Sequence, residues 1–117
     1  MTDPISGKTT IAPDVLVSIA KLTALGVPGV RKLALIPGAV HLFKREMSEG
    51  VQISVENNTV YADLYVILSR DVNVREVSRT IQYKVARAIS EMVGMEVGKV
   101  NIHIEDIDYS PDLQLPK

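Results

Sequence analysis

Three arginines and a tyrosine recur at four-residue spacing in the stretch DVNVREVSRTIQYKVARAISEMVGMEV, residues 71–97: Arg75, Arg79, Tyr83 and Arg87. On a helix, residues so spaced share one side. Guanidinium groups pair with phosphates or carboxylates, and a tyrosine ring can stack on a base. The row therefore reads as the solvated side of a core-packing helix or as a docking strip for an anionic partner. Val77, Ile81 and Val85 fall on the opposite side, so the arginines must point outward in either case. Glu76, Glu91 and a formal net charge of -1 dilute the positive field. The solvated side is the first expectation, and docking of an acidic protein the second.

Other chemistries are thinly represented. GVPG, residues 26–29, matches the Gly-x-x-Gly loop with which KH domains clamp a nucleic-acid backbone. Here Pro28 removes one N–H donor, neither middle residue is basic, and the following residues read as strand. A plain helix-to-strand turn is expected. His41 and His103 are the two histidines. His103 stands near Glu105, Asp106 and Asp108, but neighbours on a strand point to alternate faces, so few of them can converge on one metal ion. A solvent-facing histidine beside an acidic tail is the simpler reading. With no cysteine, thiolate nucleophiles, thiolate metal sites and disulfides are excluded. Nucleophile-elbow, phosphate-loop and dinucleotide fingerprints are missing, so no enzyme and no cofactor are expected.

These residues need a framework. Pro13 and Asp14 suit the first turn of a helix over 13–25, with Val15, Ile19 and Leu22 on its apolar side, Leu16, Ala20 and Thr23 on the neighbouring row, and Gly26 as its stop. A short strand over 29–36 ends at Pro37-Gly38. Residues 37–50 read as a loop or a single amphipathic turn. Val51, Ile53 and Val55 alternate with polar residues, and so do Val60, Ala62, Leu64, Val66 and Leu68. With Asn57-Asn58 between them, they predict a hairpin of 51–56 and 59–69. Asn73 with Glu76 three residues on forms a capping-box pattern, starting a second helix that Gly94 ends. Its apolar side is expected to run Val77, Ile81, Val85, Ala88, Met92, with Val74 and Ile89 beside it. A last strand over 99–107 places Val100, Ile102 and Ile104 on one side and Asn101, His103 and Glu105 on the other.

The fold class is α+β: a two-layer α/β sandwich in the order α-β-β-β-α-β, with two helices on one face of a small mixed sheet. Residues 1–10 read as a flexible leader, 11–109 as one domain and 110–117 as an irregular tail. The open sheet face would carry Tyr61, Asp63, Tyr65 and Ile67, while Leu42 and Phe43 sit in the loop-like segment. A partly apolar open face marks a binding or oligomer surface. The candidate partner-binding residues are thus Arg75, Arg79, Tyr83, Arg87, Leu42, Phe43, Tyr61, Tyr65 and Ile67. The longest apolar-rich stretch, LALIPGAVHLF, falls short of the roughly 20 residues a membrane span needs. The expected location is the cytoplasm.

Taken in order, IAPDVLVSIAKLTALGVPGV, GVQISVENNTVYADLYVILSRDVNVREVSRTIQYKVARAI and VGKVNIHIEDI resemble the alkaline shock protein family of Gram-positive bacteria, linked to the envelope stress response. The resemblance covers roughly residues 9 to 109. It departs over 37–50, where many members are glycine-rich. It implies a non-enzymatic cytoplasmic scaffold or adaptor in cell-envelope stress or homeostasis, brought near the membrane by an integral-membrane partner and able to self-associate. It carries no catalytic residues over. The competing class is a KH-like module for single-stranded RNA, resting on GVPG and the arginine row, but nucleic acid is not the expected partner.

Overall fold

The computed structural model describes residues 6–35, 47–48 and 50–110. Their elements are α1 (Pro13–Leu25), β1 (Val30–Leu33), β2 (Met47–Ser48), β3 (Val51–Glu56), β4 (Thr59–Ser69), α2 (Val74–Val93) and β5 (Glu96–Asp108). The expected order holds, with the two-residue β2 added inside the segment expected to be loop. Leu42 and Phe43 lie outside the described residues.

β4 organises the sheet. β3 pairs antiparallel with its first half, from Glu56 opposite Thr59 to Val51 opposite Leu64. β1 takes up the same edge further on, with Val30 opposite Leu68 and Leu33 opposite Val66. β5 runs parallel along the other edge from Thr59 to Ser69. The hairpin turn is tight because Asn57 and Asn58 both hold positive φ, 51° and 64°, which asparagine tolerates better than most residues.

Period-two alternation makes β4 two-faced. Val60, Ala62, Leu64, Val66 and Leu68 are fully buried under the helices, and the odd-numbered residues between them are half-buried on the other face. α1 lies against β1 and β3, α2 lies against β5, and the two helices pack on each other. All the helix packing is on the even-numbered face of β4.

α2 starts as its sequence dictates: Asn73 Oδ1 accepts from the Glu76 N–H at 3.0 Å. It stops at Gly94 in the left-handed region at φ 73°, where a missing Cβ removes the steric cost. Its buried stripe is Val77, Ile81, Val85 and Ile89. The expected stripe departs from this at both ends: Val74, in the first turn, is exposed, and so is Met92, because the four-residue step from Val85 leads to Ile89.

α1 corrects a second expectation. It buries Leu16, Val17, Ile19, Ala20 and Ala24, while Val15 and Leu22 face outward. Asp14, Ser18 and Lys21 share its outer side, and Val15 and Leu22 flank that row, so apolar character alone does not separate these two from the buried residues. The small Ala20 and Ala24 are wholly buried within this packing.

Ile81 is fully buried at the centre of this packing. Ile81→Ala should lower unfolding free energy by about 2–5 kcal/mol in urea titration. Met92→Ala should change it by less than about 0.5 kcal/mol. Asn73→Ala should cost about 1 kcal/mol through the lost cap.

Candidate interaction surfaces

The structure divides the expected site residues among separate surfaces. Tyr61, Tyr65 and Ile67 lie together on the open face of β4, as alternation requires. Asp63 stands between the tyrosines and meets two residues of β5. Asn101 Nδ2 donates to Asp63 Oδ1 at 3.2 Å, and His103 Nε2 lies 2.9 Å from the same oxygen. The His103 ring stacks on Tyr65 with centroids 4.3 Å apart and planes at 10°. His103 is thus built into a tyrosine–aspartate–asparagine cluster, not free beside an acidic tail. Sequence reading misses this cluster because it depends on β5 lying parallel to β4 with Tyr65 opposite His103. Among the described residues no group of three metal-ligating side chains converges.

Tyr61 reaches onto β5 at a backbone irregularity. Between Val97, opposite Val60, and Lys99, opposite Tyr61, Gly98 is an extra residue. A Cβ on Gly98 would collide with the Tyr61 ring, so glycine is what lets that ring lie across the strand. The far end of β5 is tied to β1: Arg31 Nε approaches Asp108 Oδ2 at 3.3 Å, and Asp108 Oδ1 accepts from the Ser110 N–H at 2.9 Å.

The arginine row faces solvent, as expected. Arg87 donates from Nε to Glu91 Oε2 at 2.8 Å and from Nη1 to the Tyr83 hydroxyl at 3.0 Å. The first of these bonds, then the second, raises its pKa above the ordinary arginine value. Arg75 and Arg79 have no ion-pair partner among the described residues. Arg79, Tyr83 and Arg87 also border a groove whose other wall is the start of β5. Arg75 does not.

A further surface was not among the sequence candidates. Ile11, Val15, Ile19 and Leu22 meet Met92 and Val93 around an open, largely apolar groove of about 620 Å³ between α1 and the end of α2. Its signal in the sequence is Val15 and Leu22, apolar residues that flank the polar row Asp14, Ser18 and Lys21 and that periodicity assigns to the core.

GVPG, residues 26–29, joins α1 to β1 and not one helix to another, so it has the place of a turn and not of a KH clamp. No helix among the described residues is long and apolar enough to cross a membrane.

Residues 1–109 match the model of the alkaline shock protein 23 family, described by a cell envelope-related function. The chain is 35% identical over 108 residues to the uncharacterized protein Spy1535 of Streptococcus pyogenes, covering 92% of this chain and 84% of that one. It is 27% identical over 111 residues to the uncharacterized protein YqhY of Bacillus subtilis, covering 92% and 82%. Among solved structures, the copper form of the MamM CTD gives a TM-score of 0.57 at 12% identity, covering 85% of this chain and 90% of that one. A MamM CTD variant gives 0.54 at 14% identity, covering 81% and 95%. At such identities the likeness is one of fold.

The open-face cluster has a measurable consequence at high pH. Burial, then the negative charges of Asp63 and Glu105, raise the Tyr65 pKa above its ordinary 10.0. The folded chain therefore holds this proton more tightly than the unfolded chain. That stabilisation is complete below the unfolded value and is lost as pH rises through the folded one. Between about pH 9 and about pH 11 the thermal midpoint should fall less for Tyr65→Phe than for the unsubstituted chain. Equal falls in the two proteins would contradict the assignment.

Proposed function

The chain belongs to the alkaline shock protein 23 family, whose function is cell envelope-related, and from that premise we propose that it is a non-catalytic adaptor. In this reading it works on the cytoplasmic side, in envelope stress or homeostasis. It associates with copies of itself and engages a membrane-anchored protein, which supplies the attachment to the bilayer. The observation that carries the proposal is the apolar groove between α1 and the end of α2. Leu22 and Met92 on its walls are 69% and 68% exposed, although both are large apolar side chains. Covering a side chain of that size is worth roughly 1.5–3 kcal/mol. Contiguous apolar surface of this kind marks a protein contact more often than a solvated face. The partner chemistry it suits is an apolar helix face or segment from the soluble part of the anchored protein.

The test is affinity capture of the tagged chain from mild-detergent lysate, with and without nuclease, beside a Leu22→Glu, Met92→Glu double variant. Both positions are exposed, so circular dichroism of the variant should match that of the parent. A membrane protein should be recovered by the parent in a nuclease-indifferent way, and most of it should be lost with the variant. Equal recovery by both proteins would overturn the groove as the contact. Recovery of RNA that vanishes with nuclease would favour the KH-like class instead.

A further inference from the structure

β5 is thirteen residues long and, among the described residues, pairs with β4 alone. Its outer edge therefore offers a row of backbone N–H and C=O groups with no strand beside it among the described residues. Such an edge is a template for adding an extended chain, and proteins usually shorten, charge or cover it. This one is overhung and not closed. α2 lies above it, and two adjoining grooves of about 510 Å³ and 530 Å³ run between the helix and residues 96–101. The Gln82 amide reaches down from α2 to donate to the Val100 carbonyl at 2.9 Å. An added strand would exchange that contact for a backbone N–H.

The walls specify what kind of chain fits. Beside Val100 and Asn101 the groove is bordered by Arg79 and Lys99, with no carboxylate among its lining residues. Arg79 is without an ion-pair partner among the described residues, so its guanidinium is available to a ligand carboxylate. Towards Val97 the wall carries Tyr83 and Ala86, and beyond them Arg87, Ser90 and Glu96 line the adjoining groove. On an added strand, residues two apart point to the same side. A carboxylate level with Arg79 would therefore stand two residues from an apolar side chain level with Tyr83.

We propose that the α2–β5 groove takes an extended protein segment by strand addition to β5, with a carboxylate on Arg79 and an apolar residue against Tyr83, Ala86 and Val97. The proposal rests on the adaptor reading but uses a different surface from the apolar groove. Each can therefore fail without the other.

The experiment is an NMR titration of the full chain with three blocked heptapeptides in a threonine background. One has a Val-Thr-Glu core, one has Lys in place of Glu, and one repeats the first with alternate backbone amides N-methylated. Expected is slowed exchange and shifted resonances for amides within residues 97–102 on adding the first peptide, and little response to the other two. Arg79→Gln should weaken binding by about tenfold, the order of one charge-assisted hydrogen bond. The Leu22→Glu, Met92→Glu variant should bind the peptide as the parent does. Equal binding of the lysine or N-methylated peptide, an unchanged Arg79→Gln, or no response at millimolar peptide would each overturn the proposal. A response confined to α1 and residues 92–93 would do the same while leaving the adaptor reading standing.

Discussion

The parallel pairing of β4 with β5 is the constraint on which the rest of the structure depends. Antiparallel neighbours such as β3 and β4 need two turn residues, but a parallel neighbour must be reached by a crossover that returns the chain to the starting end of the sheet. α2 is that crossover. Its 20 residues, at about 1.5 Å each, run close to 30 Å. The length of β4 fixes the length of α2, and the return fixes which face it covers. Val77, Ile81, Val85 and Ile89 must then meet the even-numbered residues of β4, and Gly94 must turn the chain sharply enough for β5 to begin two residues later.

The same crossover creates the candidate surfaces. Because β5 is laid down beside β4 in parallel, His103 arrives over Tyr65 and within reach of Asp63, a meeting of residues about forty apart in the chain. β5 has β4 as its one strand partner among the described residues, which leaves its outer edge open among them. Because α2 ends beside α1, Met92 and Val93 complete the apolar groove with Val15 and Leu22. Three surfaces of different chemistry therefore follow from one topological step: polar and aromatic on the open face, cationic at the strand edge, and apolar between the helices.

Much of this is legible from local signals. The hairpin follows from strict period-two alternation broken by two asparagines, and α2 from a cap, a glycine stop and a one-sided apolar stripe. The β1 and β5 ends are less clear. β5 begins at Glu96, earlier than the alternation starting at Lys99 suggests, because Gly98 is an extra residue that shifts the register there. The inner face of α1 is only partly legible: Asp14, Ser18 and Lys21 mark its outer side, but Val15 and Leu22 at the margin are as apolar as the buried Leu16 and Ile19. The His103 cluster needs the β4–β5 register, and no local pattern carries that.

The arginine row shows how one helical period can serve two purposes at once. Four residues turn an α-helix about 40° past a full revolution, so a row at that spacing winds slowly around the axis. The buried row from Val77 to Ile89 winds at the same rate, which keeps the two rows apart along the whole helix. The four members of the outer row do not all border the same neighbour. Arg75, at the start, stands clear of β5, whereas Arg79, Tyr83 and Arg87 come over its edge. Of these, Arg87 is already engaged by Glu91 and Tyr83, so the charge left to meet a ligand is concentrated at Arg79. The row is thus a solvated helix side along most of its length and a candidate contact only where the strand edge passes beneath it.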